Sequence, residues 1–270
     1  MTFPFFERLG PGVSAHLSQR SSNRLHQPRF GVPTVPSLIQ RLRLPLAAIL
    51  TLSLTMGLAA EAYSPAERAL FMTDHLGSAR APTTLRYTFR KSGSLEESFE
   101  DKVTVALAAP GKARCCTATT EFLGGPRRIN LPEIESPLGN PVILHFLERD
   151  IREMQRLTKG QPNYFRKRIR MAVFQGAKIA DIKVPYGGSM VAAQQVVISP
   201  YADDPLRPRY EKFADKQYVF TLSPKVPGGV YAIRAQVNGE FPNGPPLLLD
   251  EMVLDDTGAV PRVTSGTPQR

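Results

Sequence analysis

The stretch NPVILHFLERDIREMQRLT, Asn140 to Thr158, decides the fold. Asn140 is a good cap and Pro141 suits a first helical position. Ile143, Leu147, Ile151 and Met154 then recur at helical spacing, flanked by Leu144 and Leu157. Glu148 with Arg152 and Arg149 with Glu153 form i,i+4 pairs expected on the solvent side, and Lys159-Gly160 gives a stop signal. The spacing predicts one amphipathic helix over 141–158.

The pattern on either side is strand-like. Upstream, Leu85, Tyr87 and Phe89 alternate with Arg86, Thr88 and Arg90, and Val103, Val105 and Leu107 alternate in the next run. Lys112–Phe122 is a third strand candidate, and short stretches around Arg127–Leu131 complete this block. Downstream, strands are expected at Tyr164–Gln175, Lys178–Val184, Met190–Ser199, Gln217–Ser223, Val230–Val237 and Leu247–Leu254. Pro227-Gly228 and Asn243-Gly244-Pro245 mark turns, and the loop Pro200–Arg209 separates the middle pair. Near the start of this region, Ser64-Pro65-Ala66-Glu67 is a capping box that opens a short helix near 65–76.

Helix, strands, helix, strands is the order of an α+β domain. The expectation is a large curved antiparallel sheet with a short N-terminal helix and one central amphipathic helix packed on it. That order is similar to the half-barrel periplasmic lipoprotein carriers, and the resemblance implies a curved sheet with a helical lid over an apolar cavity. Twenty-five prolines in 270 residues, about twice the usual share, also favour turns and short strands over a long-helix bundle.

The compartment is written before this domain. Arg41 and Arg43 precede an uncharged run, Leu44–Ala60, and Ala60-Glu61-Ala62 places small residues where a signal peptidase reads. Residues 37–62 are expected to be a signal peptide cleaved before Tyr63; an uncleaved transmembrane anchor is the rival, since seventeen residues diluted by Thr51, Ser53, Thr55 and Gly57 only just span a bilayer. Residues 1–36 read as a disordered extension or as sequence upstream of the true start. Residues 63–260 form a single β-rich exported domain and 261–270 a frayed tail. The localisation expected is periplasmic or secreted, and nucleic acid is not an expected partner.

Charge is a weak guide. The 34 basic and 24 acidic residues include six and two before Tyr63, which leaves the body with 28 against 22, a net +6. Anionic lipid or polysaccharide would suit that excess, and a balanced surface would produce it as well.

Few residues carry recognisable chemistry. If Tyr164–Gln175 is a strand, Tyr164, Arg166, Arg168 and Arg170 share one face, a row of planar donors for an anionic ligand; a solvated face paired with neighbouring acids is the plainer reading. Cys115 and Cys116 are adjacent. They read as packed small hydrophobes, as a strained vicinal disulfide, or as an intermolecular bridge. Ser189 in Gly187-Gly188-Ser189-Met190-Val191 looks like part of a nucleophile elbow, but the final glycine is missing. His145 falls beside the helix stripe as a structural histidine, and His75 in the last turn of the first helix. No metal site, cofactor or catalytic set is expected. The functional expectation is an exported envelope protein, a non-enzymatic binding or carrier module for a lipid-like or anionic envelope ligand. An exported serine-type hydrolase and a protein-binding structural or assembly factor are the alternatives.

Overall fold

A computed structural model describes residues 63–255, apart from 78, 80, 109–115, 240, 242 and 243. The leader, Cys115 and the tail lie outside the described residues, and the described elements all belong to the unit that begins at Glu61. None of its described helices is long and apolar enough to cross a membrane.

Nine strands form one curved, unclosed, wholly antiparallel sheet: β1 (Thr83–Ser92), β2 (Phe99–Ala108), β3 (Thr117–Phe122), β4 (Ile134–Glu135), β5 (Lys178–Tyr186), β6 (Ser189–Ile198), β7 (Gln217–Leu222), β8 (Val230–Val237) and β9 (Leu248–Leu254). Their order is β4-β3-β2-β1-β9-β8-β7-β6-β5, so the last strand closes against the first and joins the two blocks of the sequence. Alternation decides which face is inside. Leu85, Tyr87 and Phe89 on β1, Val103, Val105 and Leu107 on β2, Tyr218 and Phe220 on β7, and Ile233, Ala235 and Val237 on β8 are all buried.

The central helix is confirmed as α2 (Val142–Thr158), with α1 (Pro65–Glu67) before it. The helix starts one residue later than expected, with Pro141 at the cap position; Asn140 Oδ1 accepts from the Val142 N–H at 3.1 Å just before it, and Lys159 ends the helix in the left-handed region at φ 57°. Ile143, Phe146, Leu147, Ile151 and Met154 are buried. The i,i+4 pairs are not found on a wet side. Glu148 is bound instead by Arg166, and Arg149 by Asp250 on β9. Asp150 is fully buried against Lys216, just before β7, and accepts from the Tyr218 hydroxyl at 2.5 Å.

Three other expectations are corrected. Tyr164–Gln175 is not a strand but lies within a second long helix, α3 (Pro162–Gln175), with Pro162 in its first turn. Phe165, Ile169 and Val173, four apart, make its buried stripe, and Phe165 packs edge-on to Tyr164, Tyr201 and Tyr210. The first helix is also shorter than 65–76. The capping box forms, but α1 passes into a π-helical turn at Arg68–Met72, and Thr73 is extended. The stretch near Arg127–Leu131 is mostly irregular: a 3₁₀ turn at Gly125–Arg127 and a single bridge from Ile129 to Phe122.

One side chain ties these parts together. The Asn140 Nδ2 donates to the Tyr87 hydroxyl at 2.9 Å and to the Gly228 carbonyl at 2.8 Å, while its backbone N–H donates to His75 Nδ1 at 3.2 Å. Gly228, at φ 72°, leaves no room for a side chain there, since a Cβ would fall 2.4 Å from Leu85 Cδ1 and 2.8 Å from the Asn140 amide.

Replacing Lys216 by Met leaves Asp150 charged and buried with only a tyrosine donor. The expected cost is about 3–5 kcal/mol in urea unfolding, and Asp150→Asn added to Lys216→Met should return most of it. Equal stability of the single variant and the parent would show that the pair is not closed in solution.

Candidate functional site

A cleft of about 470 Å³ opens where the end of β1, the start of β2, the 125–127 turn and the outer side of α2 meet. The turn is positioned locally. Gly125 adopts φ 50° in open space, and the Gly124 N–H donates to Asp101 Oδ2 at 3.1 Å, which pins the turn to β2. Arg127 is thereby carried over the Phe99 ring, 4.2 Å from its centroid. Phe99 stacks on Phe89 at 5.8 Å, and Arg149 lies 4.5 Å from the centroid of Phe89. Arg127 thus rests on an aromatic pair whose second ring also carries Arg149, and its guanidinium has no hydrogen-bond partner among the described residues.

Charge in the cleft is divided unevenly. Toward the interior, Lys91 contacts Glu96, reaches Glu153 at 3.4 Å and approaches Asp250 at 3.9 Å. Arg149 binds Asp250 at 2.6 Å, and Arg156 binds Glu153 at 2.8 Å and also Glu96. Three cations therefore meet three carboxylates. Burial raises the pKa values of Glu96 and Glu153, but Lys91 and Arg156 outweigh it at both, helped by Arg149 at Glu153, and hold both carboxyls below the usual range. Toward the opening, Arg127 and Arg152 also line the cleft, and neither has a carboxylate partner among the described residues. Exposed Glu97 lines it too, so the surplus is positive but small. Phe99, Leu123, Pro126 and Ile129 give the cleft an apolar wall. This arrangement can grip one anionic group while an apolar portion lies alongside.

The residues singled out in sequence are placed differently. Tyr164, Arg166, Arg168 and Arg170 lie on α3, where the 100° turn per residue sends Arg168 to the side away from Arg166 and Arg170, so the one-faced row does not form. Arg166 holds Glu148 through two bonds, at 2.7 and 2.6 Å. Arg168 is buried, donates to the Pro200 carbonyl at 2.9 Å, and pairs with Asp203 and, at 3.2 Å, Asp204. The Tyr164 hydroxyl donates to Asp204 at 2.7 Å, and Arg170 is half-buried. Cys116 is buried and disulfide-bonded.

Ser189 is exposed and closes the β5–β6 hairpin, its hydroxyl donating to Tyr186 O at 3.3 Å. Gly187 and Gly188, at φ 57° and 75°, make the tight primed turn of a hairpin, not the strand-to-helix turn of a nucleophile elbow. His75 lies beyond the first helix, not in its last turn. Its Nε2–H donates to Ala69 O at 2.9 Å while Nδ1 accepts from Asn140, which fixes a neutral ring. His145 is buried within α2. No cluster suited to a metal ion occurs among the described residues.

No family model matches the chain, and a search of curated proteins returns no relative.

The buried histidines make stability depend on pH. Burial lowers the His145 pKa from 6.5 to about 4 and lowers His75 in the same direction. The unfolded chain then takes up more protons below pH 6.5, so stability is complete above that pH and falls as pH drops toward 4. His145 alone should remove about 2 kcal/mol between pH 7 and pH 5. Urea midpoints at both pH values should show a smaller loss in His145→Gln; an unchanged slope would assign the effect to other groups.

Proposed function

We propose that the chain is a non-enzymatic binding module of a bacterial-type envelope, taking an anionic amphiphile in the cleft between the 125–127 turn and α2. The observation that carries this reading is Arg127 lying over Phe99 with no hydrogen-bond or carboxylate partner for its guanidinium among the described residues, on the same cleft as Arg152. A phosphate or carboxylate head group would meet two guanidinium groups, and an apolar portion would run along Phe99, Leu123, Pro126 and Ile129. The signal-peptide pattern of residues 37–62 supports export, and the lipid-like ligands of an envelope combine these two chemistries.

The carrier form of this reading asks more of the fold. Phe89, Phe122, Phe146 and Phe220 are fully buried between sheet and helix, so an acyl chain could enter there only if α2 moved away. Binding at the rim requires no such movement. The hydrolase reading gains no support from Ser189 in its hairpin turn, and the protein-binding reading rests on a separate feature, the free edge of β5.

The test is vesicle co-sedimentation of the parent and an Arg127→Gln, Arg152→Gln variant. The double change should weaken binding to phosphatidylglycerol vesicles about tenfold, leave neutral phosphatidylcholine binding unchanged, and hardly alter Tm. Added salt should imitate it, because these charges are exposed. Undiminished binding by the double variant would remove the cleft as the site. Arg166→Gln with Arg168→Gln should do the reverse, lowering Tm through lost ion pairs on α3 while sparing vesicle binding.

A further inference from the structure

The two edges of the sheet are built differently. β4 has two residues, whereas β5 has nine, Lys178–Tyr186, and among the described residues nothing pairs with its outer side. In a two-residue primed hairpin the residues flanking the turn, Tyr186 and Ser189, form a hydrogen-bonded pair. Even-numbered residues of β5 therefore bond to β6, and the backbone groups of Ile179, Asp181, Lys183 and Pro185 face outward. Pro185 fits this account, since its missing N–H falls on the open side.

We propose that β5 is a homodimer edge, pairing antiparallel with the β5 of a second copy about a twofold axis at Ile182. In that register Asp181 lies opposite the partner's Lys183, and Lys183 opposite the partner's Asp181, each pair exchanging two backbone bonds. Ile182 meets its own copy, and Ala180 meets the partner's Val184. Asp181 and Lys183 are exposed, lie on one face of the strand, and have no ion-pair partner among the described residues. Sliding the pair two residues either way sets Asp181 against Asp181 or Lys183 against Lys183, so charge selects one register. Charged edge residues usually keep sheets apart. Here their order, acid then base two residues on, repels most edges but complements itself.

The experiment is sedimentation equilibrium of the full chain with three substitutions. The parent should be a dimer. Lys183→Glu should raise its dissociation constant about tenfold or more, and Asp181→Lys combined with Lys183→Glu should restore it. Ile182→Cys should cross-link to its own copy on mild oxidation, because the central pair is not hydrogen-bonded and such pairs bring β-carbons closest. A monomeric parent overturns the proposal, as does a dimer that Lys183→Glu leaves intact or that the charge swap fails to restore. A cysteine variant that dimerises without cross-linking overturns the register.

Discussion

Arg149 and Asp150, neighbours on α2, are both buried, and each finds its counter-charge on a different part of the sheet. Arg149 reaches Asp250 on β9, and Asp150 reaches Lys216 just before β7. Consecutive helical residues diverge by 100°, so the two pairs fix the rotation of α2 as well as its position along the strands. A buried ion pair is weak evidence of net stability, because desolvation consumes most of the attraction. It is strong evidence of uniqueness. Turning α2 by one residue would bury two unpaired charges at several kcal/mol, a large part of what holds a domain folded.

The remaining geometry follows from that placement. With Arg149 turned into the core beside Phe89, Arg152 one turn later and Arg156 two turns later fall along the cleft, and Glu153 lies within reach of Lys91. At the other end, Asn140 donates to His75, which follows the first helical segment, and to Gly228 in the turn between β7 and β8. After Lys159 reverses the chain, Phe165 packs so closely on Gly160 that a Cβ there would fall 2.3 Å from its ring. α3 therefore starts beside α2 and can present Arg166 to Glu148.

Much of the sheet was legible because period-two alternation is local. β1, β2 and the strands from Lys178 onward lie close to where the pattern placed them, and so does α2. α3 was misread because Phe165, Ile169 and Met171 are all an even number of residues apart and satisfy a strand, whereas Phe165, Ile169 and Val173 satisfy a helix. Pro162 in the first turn was the signal that separates them. The cleft was not legible. Phe99 and Arg127 are 28 positions apart, and only the pinned turn at Gly124-Gly125-Pro126 brings them face to face.

The same distinction explains why net charge said so little. Arginines at 149, 166 and 168 are committed to carboxylates of other elements and act as fasteners, with their donors directed inward. Spacing alone made the α3 arginines look like a binding row, since three basic residues at alternate positions resemble one whether or not acids face them. Arg127 stood out by no such pattern, yet its guanidinium lies over an aromatic ring with no carboxylate partner among the described residues. A cation held in place without a counter-charge keeps its attraction for an external anion, whereas a paired one has already spent it on the fold. The proposed anion site is therefore sought among the cations that the fold positions but does not neutralise.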